Sequence, residues 1–258
     1  MDQTSREPVM VWRFIRTHAT RIVIGVVLLI SICFVLGVFA PYQRELRIAR
    51  RIAILEGAAN WGYRGPDWIP RAWRGRLAFW KRIDVVDLTG SDLPADLMSE
   101  LGSLTSLDTL GLGRTHLSDE SLKHLRGLTN LERLELDQTE ITDAGLEHLA
   151  GLRSLKRLVL EHTTITGAGL QHLKGLTKLE ELYLGHTHVT DTGLESLKGL
   201  ERLERLELQN TQVTDAGLNH LKGLTNLQSL FFNDTQVTTE GRAFLRKALP
   251  GCRVLPEP

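Results

Sequence analysis

The chain has 258 residues, of which 42% are hydrophobic and 24% charged, and its 31 basic and 31 acidic side chains give a formal net charge of zero. That zero conceals a division, because residues 1–79 contain 12 Lys+Arg and 5 Asp+Glu, whereas residues 80–258 contain 19 and 26. Nucleic-acid binding depends on clustered positive charge. The acidic second part, which has no contiguous basic stripe along its sequence, therefore argues against a nucleic-acid partner, and the basic first part suits an anionic membrane surface.

The first predicted element is a transmembrane helix over residues 22–40, preceded by a short basic tail over residues 1–21. The span contains no charged side chain, and at about 1.5 Å per residue it reaches the thickness of a hydrocarbon core. A cleaved signal peptide is the alternative. The apolar run is long for one, however, and Pro41 follows Ala40, where cleavage would be expected. The pattern favours a retained anchor.

Residues 41–79 form a basic juxtamembrane segment. A helix is predicted from Pro41 to about Ala59, because an apolar stripe runs between arginines: Leu46, Ile48, Ile52 and Leu55. Four tryptophans then lie among glycines and prolines: Trp61, Trp68, Trp73 and Trp80. They either anchor to lipid headgroups or cover the apolar end of the first repeat, which every solenoid must hide. The second interpretation is favoured, since Trp80 occupies the first leucine position of a repeat.

From Trp80 onward the chain repeats itself every 24 residues. Five regular units follow a degraded one over 80–103, and a sixth begins at Leu224: the regular units are 104–127, 128–151, 152–175, 176–199 and 200–223. Self-similarity at this period with an L-x-x-L-x-L core indicates a solenoid, in which each unit buries its apolar face against its neighbours. We therefore predict an α/β solenoid of about seven units over residues 80–238 and a C-terminal cap over residues 239–258.

The repeat pattern L-x-x-L-x-x-L-x-L-x-x-T-x-[IV]-T-D-x-G-L-x-x-L-x-G resembles the leucine-rich repeats of ribonuclease-inhibitor-like proteins. It is more closely similar to that of bacterial proteins that carry such repeats behind one transmembrane helix. The resemblance implies a horseshoe arc with a parallel sheet on its concave face and short helices on its convex face. Arginines balance on the two sides of the span, so charge alone does not orient it. The resemblance implies repeats on the non-cytoplasmic side of a bacterial inner (cytoplasmic) membrane.

Within a unit, with the first leucine as position 1, positions 7 and 9 are predicted to point inward from a short strand. In the unit 128–151, Leu134 and Leu136 then lie inside and Glu135 outside. The threonine at position 12 is predicted to bond backbone groups as the chain leaves the strand. The T-D-x-G-L-x-x-L segment predicts a short helix with a threonine N-cap, and the closing glycine predicts a left-handed cap. Because Ser121 replaces the inner glycine once, that position requires small size rather than positive φ.

Histidine columns are candidate metal ligands. One column lies on the helices, but Ser196 and Phe244 interrupt it, and a metal needs three or four ligands that converge on one point; it comprises His124, His148, His172 and His220. A structural role is favoured. A second group lies just after the strands: His116, His162, His186 and His188. For this group a pH-sensitive contact or an opportunistic metal site is an alternative, less favoured than a structural role. Neither cofactor nor metal is expected, and no nucleophile, P-loop or metalloprotease motif points to catalysis.

The outward strand positions carry the candidate binding surface. Much of it alternates Arg and Glu, which solvated cross-strand pairs would explain. Tyr183 and Phe231 differ, because strand packing does not require aromatic side chains that point to water, and aromatic and arginine side chains are enriched in binding hot spots. The alternative for Phe231 is packing under the C-terminal cap. The predicted surface comprises Arg133, Glu135, Arg157, Val159, Tyr183, Arg205, Glu207 and Phe231.

These features predict a membrane-anchored scaffold that binds another protein and has no catalytic activity. The expected partners are an unidentified protein and the membrane around residues 22–40, with neither nucleic acid nor a small-molecule substrate. One alternative is an envelope structural protein whose repeats bind a cell-surface glycan or polymer. Another is a regulatory subunit of a membrane enzyme.

Overall fold

The computed structural model describes residues 26–67, 69, 71–74 and 76–255. The chain divides into two compact units, one formed by Met1–Leu46 and Tyr63–Lys81 and the other by Arg47–Gly62 and Arg82–Pro258. The predicted basic tail over residues 1–21, the first four residues of the predicted span, Trp68 and the last three residues of the predicted C-terminal cap lie outside the described residues.

The N-terminal helix α1, Val26–Ile54, is long and apolar enough to cross a membrane, by length and composition. It continues through Pro41 instead of ending there. Proline lacks an N–H group and its ring crowds the carbonyl four residues earlier. A π-helical segment, Val35–Phe39, directly precedes it, and such wide turns are one way in which a helix absorbs a local disturbance. Apolar side chains of this stretch are exposed, as at Leu29 and Leu36 (65% and 67%).

The described residues of Tyr63–Lys81, the second segment of the first unit, form a short connection. It contains a one-turn helix, Arg71–Arg74, and a 3-10 turn, Ala78–Trp80. Arg74 holds the loop together, because its Nε donates to the Ile69 carbonyl (3.0 Å) and its Nη2 to the Asp67 carbonyl (2.9 Å). The Trp73 side chain is 62% exposed.

A nine-stranded sheet, with its strands in sequence order, runs through the described repeats. The strands are β1 (Ala58–Tyr63), β2 (Lys81–Asp87), β3 (Thr109–Gly111), β4 (Arg133–Glu135), β5 (Arg157–Val159), β6 (Glu181–Tyr183), β7 (Arg205–Glu207), β8 (Ser229–Phe231) and β9 (Arg253–Leu255). From β2 to β9 each pair is parallel, and from β3 onward partners lie 24 residues apart, as at Leu158 and Leu182. The period of the sequence is thus the register of the sheet, and the predicted solenoid is confirmed.

Short helices form the second layer, one to each turn of the solenoid. The α-helical segments are Ala95–Leu101, Asp119–Leu122, Asp143–Leu146, Asp191–Leu194, Asp215–Leu221 and Thr239–Ala248. The 3-10 segments are Lys123–Gly127, Glu147–Leu149, Gly169–Leu173 and Glu195–Leu197. Leucines at positions 1, 4, 7 and 9 fill the space between helices and sheet, and those of the central units are fully buried.

The N-terminal end of this core is covered by the last turns of α1 and the strand that follows. Ile48 and Ile52 are buried in the core, and Leu55, Ala59 and Trp61 pack against it. Arg51 joins the same helix to the first repeat, because its Nη1 lies 2.9 Å from Asp96 Oδ2 and 2.8 Å from Glu100 Oε1. Of the aromatic residues considered for this role, Trp61 takes part in it.

Threonines end the strands as predicted. At position 12 each hydroxyl donates to the carbonyl three residues earlier at 2.6–2.7 Å: Thr115, Thr139, Thr163, Thr187, Thr211 and Thr235. The prediction of left-handed closing glycines is wrong, because none of these glycines has positive φ. The left-handed residues instead precede the threonines, with φ of 51–57°: Arg114, Gln138, His162, His186, Asn210 and Asp234. Asn, Asp and His tolerate this conformation better than most side chains do.

Aspartates link successive repeats on the helical side. The N–H and hydroxyl of Thr142 donate to the Asp119 carboxylate at 2.8 and 2.6 Å, and Thr142 also caps its own helix by accepting a hydrogen bond from the Ala144 N–H (3.3 Å). The same link joins Asp143 to Thr166, Asp191 to Thr214 and Asp215 to Thr238. A Cβ on Gly145 would lie 2.4 Å from Asp119 Oδ1. The prediction that this glycine is needed for its small size is therefore confirmed.

Candidate binding surface

The sheet register collects the outward residues into two columns. Position 6 runs from Arg157 through Glu181 to Arg205, and position 8 runs from Val159 through Tyr183 to Glu207 and Phe231 on neighbouring strands. All eight predicted surface residues lie in these columns, on strands β4 to β8.

Tyr183 is at the centre of the surface, and its hydroxyl group joins two charged partners. It donates to Glu181 Oε2 (2.7 Å) and accepts a hydrogen bond from Arg157 Nη1 (2.7 Å). Arg157 also pairs directly with Glu181. The guanidinium carbons of Arg157 and Arg205 lie 4.4 and 5.5 Å from the centre of the tyrosine ring, at distances typical of cation–π contacts.

This arrangement corrects one expectation from the sequence. Tyr183 faces away from the core, but it does not point into water, because its side chain is only 8% exposed. Val159 and Glu207 are also buried, at 7% and 9%, whereas Arg133 is exposed and Phe231 half-buried. Long side chains from adjacent strands cover the column, and the strand pattern alone does not specify that coverage.

Arg205 extends the stack toward the C-terminal end of the sheet. Its guanidinium carbon lies 4.7 Å from the centre of the Phe231 ring. Its Nε and Nη2 both donate to Glu207 Oε1, at 2.7 and 2.5 Å. The result is a continuous series of stacked groups, Arg157–Tyr183–Arg205–Phe231, in which both arginines are oriented by carboxylates.

Phe231 lies in register with Leu255 of β9, the last described strand. Residues 239–258 were predicted to form a cap, without this strand. The sequence feature that could have predicted β9 is Val254, which lies 24 residues after Leu230 and is likewise buried. Phe231 is therefore followed by another sheet position and keeps a partly open face.

Two polar side chains that the prediction omitted complete the surface. Glu161 and Gln209 reach across the intervening strand, and Gln209 Nε2 donates to Glu161 Oε1 (2.7 Å) and Glu207 Oε2 (3.0 Å). They meet above Gly185, where a Cβ would lie 2.5 Å from Gln209 Nε2. Within the described chain, the buried Gln209 Oε1 has no hydrogen-bond partner. A glycine at an outward strand position was the signal available in the sequence.

The electrostatics follow from this partial burial. Burial and the hydrogen bond to Glu181 raise the pKa of Tyr183 to about 12, against the opposing effect of the arginines. Burial by itself would raise the pKa of Glu181, but the hydrogen bond from Tyr183 and the charge of Arg157 lower it overall. Burial and the nearby charge of Glu207 raise the pKa of Glu161. The phenol is thus held neutral between a carboxylate and two guanidinium groups.

The histidine columns do not converge on a ligand. His162 and His186 stack with ring centres 4.0 Å apart, and both occupy left-handed strand ends. On the helical side, His148 is half-buried and its Nδ1 contacts Arg126 Nη2 (2.6 Å). In the part of the chain that the structure describes, no group of three or more His, Cys, Asp or Glu side chains could hold a metal ion.

Comparison with known proteins agrees with this architecture. Residues 129–189 match the family model described as leucine rich repeat. The structure is similar to that of internalin C2 from Listeria monocytogenes, with 28% sequence identity, a TM-score of 0.55 and coverage of 67% of this chain and 70% of that one.

The repeats are leucine-rich repeats. The leucine-rich-repeat domain also resembles a leucine-rich-repeat protein from Leptospira interrogans, at 26% identity and a TM-score of 0.49. That match covers 66% of this chain and 48% of the other, so this chain spans about half the length of that relative. No curated protein matches the sequence. Leucine-rich-repeat domains are scaffolds that present a surface for binding, and in this chain the stacked groups lie on strands β5 to β8 of that surface.

Proposed function

We propose that this protein is a membrane-anchored recognition scaffold and that its leucine-rich-repeat domain binds another protein through the concave face of strands β5 to β8. The observation that carries the proposal is the stack Arg157–Tyr183–Arg205–Phe231. Arginine and aromatic side chains dominate the binding energy of protein interfaces.

The stack is oriented before any partner arrives. Arg157 is fixed by Glu181 and Tyr183, and Arg205 by Glu207. Ordering a free long side chain at an interface costs about 0.5–1.5 kcal/mol, and a side chain that is already ordered avoids most of that cost. The half-buried ring of Phe231 and the exposed guanidinium of Arg133 are the accessible groups at either end.

A protein partner is favoured over a glycan by the position of Tyr183. A sugar ring that stacks on an aromatic residue needs an open aromatic face, but guanidinium groups from both neighbouring strands lie against Tyr183. The side chain is also buried, at 8% exposed. The concave face therefore offers arginine edges and one partly open ring, and arginine and aromatic side chains are enriched at protein interfaces.

Anchoring in the membrane is supported by the length and apolar composition of α1. In this proposal, residues 22–40 form a retained span, and the repeats lie on the non-cytoplasmic side of a bacterial inner membrane, as the family resemblance implies. The arginines that follow the span in α1 would then lie near the lipid headgroups.

The test is affinity capture with the full chain in mild detergent, followed by a saturation measurement with the purified captured protein. We expect Phe231→Ala to weaken binding by about 30-fold or more, as loss of a hot-spot residue does. Phe244→Ala is the matched control, because Phe244 is an aromatic residue of the C-terminal helix that is 41% exposed. Equal binding by the two variants would refute the assignment of the surface. Salt-sensitive, polydisperse retention on cell-wall material, without a saturable protein partner, would support the glycan or polymer alternative.

A further inference from the structure

Positive and negative side chains of the repeats are concentrated in different regions of the solenoid. Residues 107–226, which are five periods, contain 13 Lys+Arg and 18 Asp+Glu. The stretches that lead from each helix back to the next strand hold 8 of those cations and only 3 of the anions: these stretches are 123–130, 147–154, 171–178, 195–202 and 219–226. The remainder of the five units keeps 5 cations and 15 anions. No contiguous basic stripe is visible in the linear sequence, because these cations are separated along the chain by whole repeats.

The solenoid brings these stretches together along one edge, which we call the basic edge. Consecutive turns lie side by side there, since a Cβ on Gly151 would be 3.8 Å from the Arg126 carbonyl and one on Gly175 would be 3.9 Å from the Ala150 carbonyl. Parallel strands advance about 4.8 Å per turn, so the cations follow one another along the edge at short intervals. All of them are exposed: Lys123, Arg126, Arg153, Lys174, Lys178, Lys198, Arg202 and Lys222.

Most of these cations form no ion pair within the part of the chain that the structure describes. Three of the eight form ion pairs, with Lys123 bound to Glu120, Arg126 to Glu147 and Lys198 to Glu195. Among the described residues, the other five take part in no ion pair: Arg153, Lys174, Lys178, Arg202 and Lys222. On the concave face, by contrast, Arg157 and Arg205 are each paired with a glutamate.

We infer that the basic edge binds an anionic phospholipid bilayer surface. The cations form a line instead of converging on one point, which fits an extended charged surface better than a single small anion. Five of the eight are lysines, whose ammonium groups are hydrated point charges and lack the bidentate fork of arginine. Diffuse attraction to anionic headgroups needs only such charges. The 15 anions against 5 cations in the remainder of the five units disfavour nucleic acid.

The chain also contains a segment that would hold the repeats close to a bilayer. Helix α1 is long enough to span one, and residues 41–76 add eight arginines of the same sign. The inference therefore rests on the proposed membrane anchoring. Attraction at the basic edge would hold the repeats against the headgroups and leave the concave face free.

The experiment measures lysine acetylation in the full chain, reconstituted in nanodiscs of phosphatidylcholine alone or with phosphatidylglycerol. We expect Lys174, Lys178, Lys198 and Lys222 to react about 5-fold more slowly in the anionic discs, which corresponds to about 1 kcal/mol of attraction near the surface. High salt should abolish the difference. Lys156 lies just before β5, outside the basic edge, and serves as the internal reference, with equal rates expected in both discs.

Two double variants distinguish the effect of charge at this edge on lysine protection from the effect of total charge. Lys178→Gln with Arg202→Gln should reduce the protection of Lys174 and Lys198. Arg114→Gln with Arg133→Gln removes the same charge outside the basic edge and should leave that protection intact. Equal labelling in both lipids would overturn the inference, and so would protection in neutral discs, which would indicate that another protein copy covers the edge. Comparable protection by inorganic phosphate in detergent would also overturn it. If the chain fails to elute with the discs, the anchoring itself is refuted.

Discussion

At the scale of single residues, Tyr183 shows how an outward aromatic side chain is accommodated on a repeat surface. Its neighbours in register on the sheet are Val159 and Glu207. The covering comes from the position 6 column, where Arg157 and Arg205 reach over the ring from either side. The hydroxyl keeps its hydrogen-bonding groups satisfied through Glu181 and Arg157, as a largely buried phenol requires.

The ionisation of Tyr183 tests this environment directly. Its pKa of about 12 in the folded protein exceeds the unperturbed value of about 10. Tyrosine is an acid, so a raised pKa means that folding favours the neutral phenol. The stabilisation is fully present below about pH 10 and is lost as the pH rises from about 10 to about 12.

We expect the ultraviolet difference titration of the wild type minus Tyr183→Phe to show a midpoint near pH 12 in the folded protein. In denaturant the midpoint should fall to about 10. The subtraction removes the contributions of the other two tyrosines, Tyr42 and Tyr63. A folded-state midpoint of about 10, the unperturbed value, would mean that the phenol is open to water and that the stack does not form.

At the scale of the repeat, the junction between neighbours depends on two coupled positions. An aspartate at the start of one helix bonds the threonine of the next unit, and the glycine of that next unit makes room for the aspartate. One junction differs, because Gly167 replaces the aspartate there. Gly167 and Gly193 then pack backbone to backbone, and a Cβ on Gly193 would lie 2.4 Å from the Gly167 Cα.

This junction allows a matched pair of substitutions. Gly193→Ala places a methyl group against backbone that cannot rotate away, and we expect a loss of about 1–3 kcal/mol in unfolding free energy. Gly199→Ala changes a glycine of the same unit where an added Cβ would meet nothing within 4 Å and where φ is not positive. It should be neutral or gain up to about 1 kcal/mol by restricting the unfolded chain. Thermal unfolding followed by circular dichroism would compare them, and equal shifts in Tm would contradict the close packing.

The leucine period was sufficient to predict the fold, because each inward position recurs with the register of the sheet. Leu158 and Leu182 are buried and paired as expected. Local turn geometry was harder to predict. The left-handed residues are Arg, Gln, His, Asn and Asp instead of the closing glycines, since the stacked repeats impose that conformation whatever the side chain. The additional strand β9 was missed because Val254 and Leu255 stand in a unit without the usual leucines.

For the candidate surface, the sequence predicted which residues share a face but not which ones are accessible. Alternation along a strand determines direction, and the repeat period determines neighbours. Coverage depends on how far the long side chains of adjacent strands reach, as with Gln209 and Glu161 over Gly185. That property depends on side-chain torsion angles in three dimensions, for which the sequence pattern carries no direct signal.

At the scale of the whole molecule, the division of charge along the chain has a counterpart within the repeats. The residues before the repeats are basic, and the repeats are acidic overall but have one basic edge. A soluble domain gains little from such a separation. A domain held near an anionic bilayer would be oriented by it, because attraction at the basic edge turns that edge toward the headgroups.

This view of the molecule requires that α1 remain in the membrane. We expect the full-length chain to stay in the pellet when membranes are washed with alkaline carbonate. Leu29→Arg with Leu36→Arg introduces charges at two exposed positions of the apolar stretch, each costing about 2.5–3.5 kcal/mol near the centre of a span. The double variant should therefore be extracted into the supernatant. A soluble wild-type product that begins near residue 41 would instead identify the segment as a cleaved signal sequence. Such a product would lack residues 22–40, whereas a retained anchor keeps the whole chain in the membrane fraction.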